Sequence, residues 1–237
     1  MSETATPNRY LAINALLEAA GVDILTPEDK MLEQVTAICV DAFAWRGWQK
    51  ALDESNYDGL PLVSATSEAS TAREILAPFC VGPRGLDIGG GGDLIVSHAT
   101  LVDQKNPYTK VGNCRQILQG DCRSLHFICN DSQDWIHSAH LLEDFSYETL
   151  AAVIIPEWRR VLKQGGLLIT NCPDQQKFLA HCAATGQGIN CAHLEADFSL
   201  HTFKTRVLAH TGEWETVLEV PEHGAYSWLL VCKKVGL

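Results

Sequence analysis

The spacing of apolar positions along the chain changes near residue 85. Upstream they recur every three or four residues, as on one face of a helix. Tyr10, Ile13, Leu17 and Ala20 share such a face, between a Thr6-Pro7 start signal and Gly21. Thr26-Pro27-Glu28-Asp29 repeats the start, and Leu32, Val35, Cys39, Ala42 and Trp45 carry a second stripe. Residues 55–66, with Asn56, Asp58, Gly59 and Pro61, read as a loop, and residues 70–79 as a third helix.

Downstream, short apolar runs alternate with helical stripes. Strands are predicted at about 86–88, 99–102, 115–118, 135–138, 167–171, 214–220 and 226–233, and helices at about 147–163, 174–184 and 200–210. Pro156 lies inside the first of these helices and predicts a kink or break. Alternation of this kind predicts an α/β layout with a mainly parallel sheet. Only residues 221–225 join the last two strands, too few for a parallel crossover, so an antiparallel hairpin is expected.

The 237 residues suit one domain with an N-terminal helical extension, divided as 1–69 and 70–237. A net charge of −11 repels phosphate backbones, so nucleic acid is not expected as a partner. No run approaches the roughly 20 apolar residues of a membrane span. The first residues lack the basic-then-apolar layout of a signal peptide, and a cytoplasmic location is expected. Nine Cys without paired spacing read as small buried hydrophobes or free thiols.

Candidate chemistry begins with Asp87-Ile88-Gly89-Gly90-Gly91-Gly92-Asp93. A strand ending in glycines puts bare backbone at the edge where open α/β sheets bind ligands; a tight turn is the plainer reading. The dinucleotide fingerprint fails, because its third glycine would fall on Leu94, and no Walker A Gly-Lys-Ser/Thr is present. Asp103 ends the next strand, where a carboxylate can accept both hydroxyls of a ribose. Asp121 follows the third, where an acid can accept an adenine amino group. Each alone is also an ordinary loop acid; three such features after three successive strands argue for one ligand.

These residues resemble the class I S-adenosylmethionine (SAM)-dependent methyltransferases over about residues 70–237. Gly85-Leu86-Asp87-Ile88-Gly89-Gly90-Gly91 is similar to their first motif, Asp103 to the ribose acid, and Gly120-Asp121-Cys122 to the adenine-contacting acid and its neighbour. Asp134 to Asp144 resembles the fourth-strand segment, and Arg160-Val161-Leu162-Lys163-Gln164-Gly165-Gly166 the entry to strand five, with Gln164 in place of the usual Pro. The resemblance implies a Rossmann-like seven-stranded mixed sheet with the seventh strand antiparallel between five and six. It implies SAM as cofactor, contacted by Asp87, Gly89, Gly91, Asp103, Asp121, Cys122 and Ser138. The acceptor expected is the oxygen or nitrogen of a small molecule.

Two segments depart from that pattern. The connections after strands one and two, at 93–98 and 104–114, are too short for full helices. Either the N-terminal extension or a partner subunit, as in a homodimer, must cover the sheet there. Non-methylating SAM chemistry and a SAM-fold subunit without turnover therefore stay open as alternatives.

His137 lies on the fourth strand and His140 just beyond it. His140 is the candidate general base, with Glu143 and Asp144 placed to orient it or raise its pKa; a packed imidazole is the plainer reading. His181, Cys182, Cys191 and His193 match no structural zinc spacing, so no metal is expected, and their segment is placed to line a substrate pocket. Trp45, Trp48 and Tyr57 read as core, or as the apolar wall of that pocket.

Overall fold

A computed structural model describes residues 67–91, 93–103 and 117–236. The first two helical stripes, the loop at 55–66, Trp45, Trp48, Tyr57, Gly92 and the segment 104–116 lie outside the described residues. Every strand belongs to one compact unit, Gly59–Leu125 with Asn130–Leu237.

Helix α1 is Glu68–Leu76. Ser67 caps it, its Oγ accepting from the Ser70 N–H at 2.9 Å. Ala69, Ala72 and Leu76, spaced three and four apart, form its buried face. A 3₁₀ turn, Ala77–Phe79, ends the helix at Pro78.

The strands are β1 Gly85–Ile88, β2 Thr100–Asp103, β3 Ile117–Gln119, β4 Gln133–Ala139, β5 Leu162–Pro173, β6 Glu213–His223 and β7 Ser227–Val235. They form one sheet in the order β3-β2-β1-β4-β5-β7-β6. The first five run parallel, and β7 is antiparallel to both neighbours, β5 and β6. β1 and most of β4 are buried on both faces, as central parallel strands should be.

The stripe at 147–163 forms α2 Tyr147–Thr149, a π-helix Leu150–Ile154 and α3 Ile155–Val161. Pro156 occupies the first turn of α3, where its missing N–H costs least, and the preceding turn widens to π to receive it. Helix α4 is Gln175–Thr185, and α5, Leu200–Thr202, continues as π-helix Phe203–Val207 and a 3₁₀ turn Leu208–His210. Trp135, Trp158, Trp228, Phe198 and Phe203 are the largest fully buried side chains.

No helix forms among the described residues between β1 and β2. Helix α1 fills that place from within the chain. Leu94, Ile95 and Ala99 of the connection share a core cluster with Ala72, Leu76 and Cys80. Arg73 fastens it: Nη2 donates to Asp93 Oδ1 at 2.6 Å and Leu94 O at 3.0 Å, and Nε to Ile95 O at 3.2 Å. Ser67 Oγ also donates to Asp93. Arg73→Met should therefore lower the unfolding free energy by about 1–3 kcal/mol, since it leaves half-buried acceptors without donors. Denaturant titration measures this, with faster amide exchange near Ile95 as the local signature; unchanged stability and exchange would mean that the clamp holds nothing.

Candidate functional site

The site is built at the C-terminal ends of β1, β2 and β4. Asp87, in β1, is fully buried. Its Oδ2 accepts from the Ile95 N–H at 2.7 Å, and His137 Nδ1 lies 2.8 Å from its Oδ1, the imidazole donating. A carboxylate at this depth needs such partners. Both oxygens are thus engaged by the protein. Asp87, a cofactor contact in the expectation from the sequence, ties the glycine loop and β4 to the end of β1.

The loop leaves β1 through Gly89, at φ +74°, whose N–H donates to Val102 O at 2.9 Å. A Cβ there would come within 2.9 Å of a Leu141 methyl. Gly91 is also left-handed, at φ +59°, and its N–H donates to Asp103 Oδ2 at 3.2 Å. A Cβ at Gly91 would meet none of the described residues within 4 Å. Bare backbone with open space beside it thus meets the half-buried carboxylate that ends β2. The Gly120 N–H donates to Asp103 O at 3.0 Å and joins the end of β3 to the same edge. This part fits a ligand with an amino-acid end and a ribose.

On the expected adenine side Asp121 has a protein partner. Arg123 takes the Asp121 carboxylate, with Nε 2.9 Å from Oδ1 and Nη2 2.5 Å from Oδ2. The same guanidinium holds the carboxyl below its usual range. The sequence places Arg123 two residues on, and the turn closes the pair. Cys122 is buried, and burial pushes its thiol up to about 12, so its packing and its carbonyl, which accepts from Trp158 Nε1 at 2.9 Å, define its place. Ser138 is fully buried in β4, and its Oγ has no hydrogen-bond partner among the described residues.

Beyond β4 the chain turns through His140, a non-glycine residue at φ +49°. Its N–H donates to Asn171 O at 2.8 Å and its Nε2 lies 3.1 Å from Ser227 Oγ. Burial lowers the His140 pKa to about 4, and His193 adds to the effect. The raised pKa expected from Glu143 and Asp144 is thereby overturned. Glu143 is 1 % exposed, and burial raises its own carboxyl well above the usual range. Burial also raises Asp144.

Glu143 stands between two imidazoles, its Oε1 3.7 Å from His140 Nδ1 and 3.8 Å from His193 Nε2. His193 Nδ1 donates to Gln175 Oε1 at 2.6 Å, which leaves Nε2 as the nitrogen facing Glu143. The Leu194 N–H donates to Glu143 O at 3.1 Å, and the Gln175 N–H to Phe198 O at 2.8 Å. The Cys/His-rich segment is thus stitched to the ends of β4 and β5. Within it Cys182 is buried, Cys191 is exposed, and His193 faces Glu143. Among the described residues no three His, Cys, Asp or Glu side chains are grouped to hold a metal ion. The pattern of residues does not reveal the pairing of Glu143 with His193, which lie 50 positions apart; the Cys/His-rich composition is its only trace.

No family model matches the sequence, and no curated protein is similar to it by sequence. Solved structures are similar in fold. A protein from Pyrococcus horikoshii superposes with a TM-score of 0.56 at 16% identity, over 78% of this chain and 98% of that one. A SAM-dependent methyltransferase from Archaeoglobus fulgidus gives 0.53 at 16% identity, over 78% and 99%. Another from Thermotoga maritima gives 0.51 at 19% identity, over 80% and 100%. With the sheet order and the glycine loop, these likenesses establish that the chain has the class I SAM-dependent methyltransferase fold, whose implied cofactor is S-adenosylmethionine.

Proposed function

We propose that the protein transfers a methyl group from SAM to an oxygen or nitrogen of a small-molecule acceptor. The observation that carries this reading is the meeting of the Gly91 N–H with Asp103 Oδ2 at 3.2 Å, beside the open space at Gly91. Gly89 and Gly91 would admit the amino-acid end of the cofactor, and Asp103 would accept from the ribose diol. The Cys122 backbone and Asp121, with its Arg123 partner, would flank the adenine. The cofactor supplies a methyl carbon already activated by the adjoining sulfonium. What remains to the chain is to exclude water and align the acceptor. Leu141 packs beside Gly89 and is the next residue after His140. The cofactor loop and the acceptor-side histidine are thus one residue apart. His140 holds the acceptor through a neutral imidazole. On this side of the fold the rings of His140 and Phe178 each pack edge to face against Tyr226.

A second reading, a SAM-fold binding subunit without turnover, is favoured by the Asp121–Arg123 pair and by the helix-free β1–β2 connection. Formation of S-adenosylhomocysteine together with a methylated product separates the two. SAM bound without product supports the second, and a product lacking the methyl group supports non-methylating chemistry.

Asp103→Ala should weaken SAM binding by about 1–3 kcal/mol, the cost of removing a hydrogen-bonded acceptor. Gly89→Val should abolish binding, since a branched side chain resists φ +74° and collides with Leu141. Calorimetry decides both, with circular dichroism as the check on folding; normal affinity in both variants removes the cofactor site from this loop.

His140→Ala should lower turnover by about 10² and leave SAM affinity unchanged. Because the His140 pKa in the fold, about 4, lies below the ordinary value, its imidazole stays neutral through neutral pH. The stability it contributes is present above pH 6.5 and is lost as pH falls through about 4. The shape of the variant's pH profile should therefore differ from the parent's in the acid limb, while the loss of turnover near pH 7 stays constant with pH. Full activity with an unchanged profile would make His140 structural.

A further inference from the structure

We propose that the acceptor is an amine, bound and deprotonated by Glu143 between His140 and His193. The proposal rests on the methyltransferase reading and narrows its acceptor to nitrogen.

The geometry comes first. Glu143 is 1 % exposed at the end of β4, and its Oε2 is buried without a hydrogen-bond partner among the described residues. Its Oε1 stands 3.7 and 3.8 Å from the two imidazole nitrogens, beyond hydrogen-bond reach of both. Among the described residues neither Lys nor Arg is one of its ion-pair partners. A second buried acceptor, Asn171 Oδ1, also lacks a partner and lies at the end of the neighbouring strand, β5. Unpartnered buried acceptors are costly unless a ligand brings donors, and an ammonium or amine brings two or three.

Charge then selects the acceptor atom. The groups facing Glu143 are His140, His193, Asp144 and Tyr226, with Cys172 from β5 and Glu68 from α1. Burial lowers the His140 pKa to about 4, lowers that of His193, and raises those of Asp144 and Cys172. The cluster therefore disfavours separated charge. A hydroxyl giving its proton to an imidazole would create an oxyanion and an imidazolium there. An ammonium giving its proton to a carboxylate removes two charges, leaving a neutral amine and a neutral acid. The amine enters protonated as Glu143 releases its proton to solvent. An N–H proton then passes to Oε2. The nitrogen lone pair forms the bond to the methyl carbon as the C–S bond breaks with its electron pair left on sulfur. The methylated ammonium leaves, and Glu143 retains its proton.

The test uses the full chain, methyl-labelled SAM, and two probe sets: alkyl and arylalkyl amines, and the alcohols and phenols that match them. Label should appear on amines alone. Glu143→Gln should lower that transfer by about 10² or more with SAM affinity unchanged, and Glu143→Asp should restore part of it. Infrared spectra of the cofactor-free protein should show at pH 7 the carbonyl band of a buried protonated carboxyl, absent from the Gln variant. Label on alcohols or phenols, amine transfer undiminished in Glu143→Gln, no label on any amine while SAM binds, or no such band would each overturn the proposal. Failure of the parent protein to bind SAM by calorimetry is a distinct result and overturns the methyltransferase reading itself.

Discussion

The candidate site hangs on the buried Asp87 carboxylate. It sits in the central strand β1, where no water reaches it, and its two oxygens are taken by a backbone amide and an imidazole. One acceptor closes the loop from Gly89 to Ile95; the other fixes β4 against β1. A charge at that depth is tolerable only while both bonds hold, so the loop geometry is enforced by the cost of breaking them. Arg73 performs the matching task on the outer side of the same loop, reaching from α1 to Asp93, Leu94 and Ile95. Between them these residues do what a crossover helix would otherwise do.

With the loop held, the two halves of the site differ in electrical character. The cofactor half keeps a half-buried carboxylate, Asp103, beside backbone amides, suited to a ligand rich in hydroxyl and amino donors. The proposed acceptor half sets Glu143, whose carboxyl burial raises well above its usual range, beside two imidazoles whose pKa burial lowers. In the proposed transfer, a sulfonium donor reacting with a neutral nucleophile would carry one positive charge throughout and separate no new pair. Low polarity on the acceptor side and fixed polar groups on the cofactor side serve that reaction together.

Legibility in the sequence followed the range of the interactions. Periodicity and the short 221–225 connection suffice for the alternating layout and for the terminal hairpin, because both depend on neighbours within a few residues. Gly89 and Gly91 are legible for the same reason: the left-handed backbone they adopt is a local requirement. Pro156 announced an interruption, although the form it took, a π turn running into a fresh α-helix, depended on packing. Two partnerships were not legible, Asp121 with Arg123 and Asp87 with His137. Arg123 stands two residues from Asp121, but only the turn aims it back; His137 is fifty residues from Asp87 and meets it only across the paired strands.

The sequence by itself therefore determined the α/β alternation, the antiparallel ending, the glycine loop and the position of Asp103 at a strand end, since each follows from local steric rules and side-chain period. The tertiary structure alone decided how Asp87 and Asp121 are partnered, what replaces the missing crossover helix, and in which direction burial moves the Glu143 and His140 pKa values. The reason is physical. Desolvation and partner choice are set by groups brought together from distant parts of the chain, and a proton's affinity for a side chain is decided by that surrounding rather than by the residue's name.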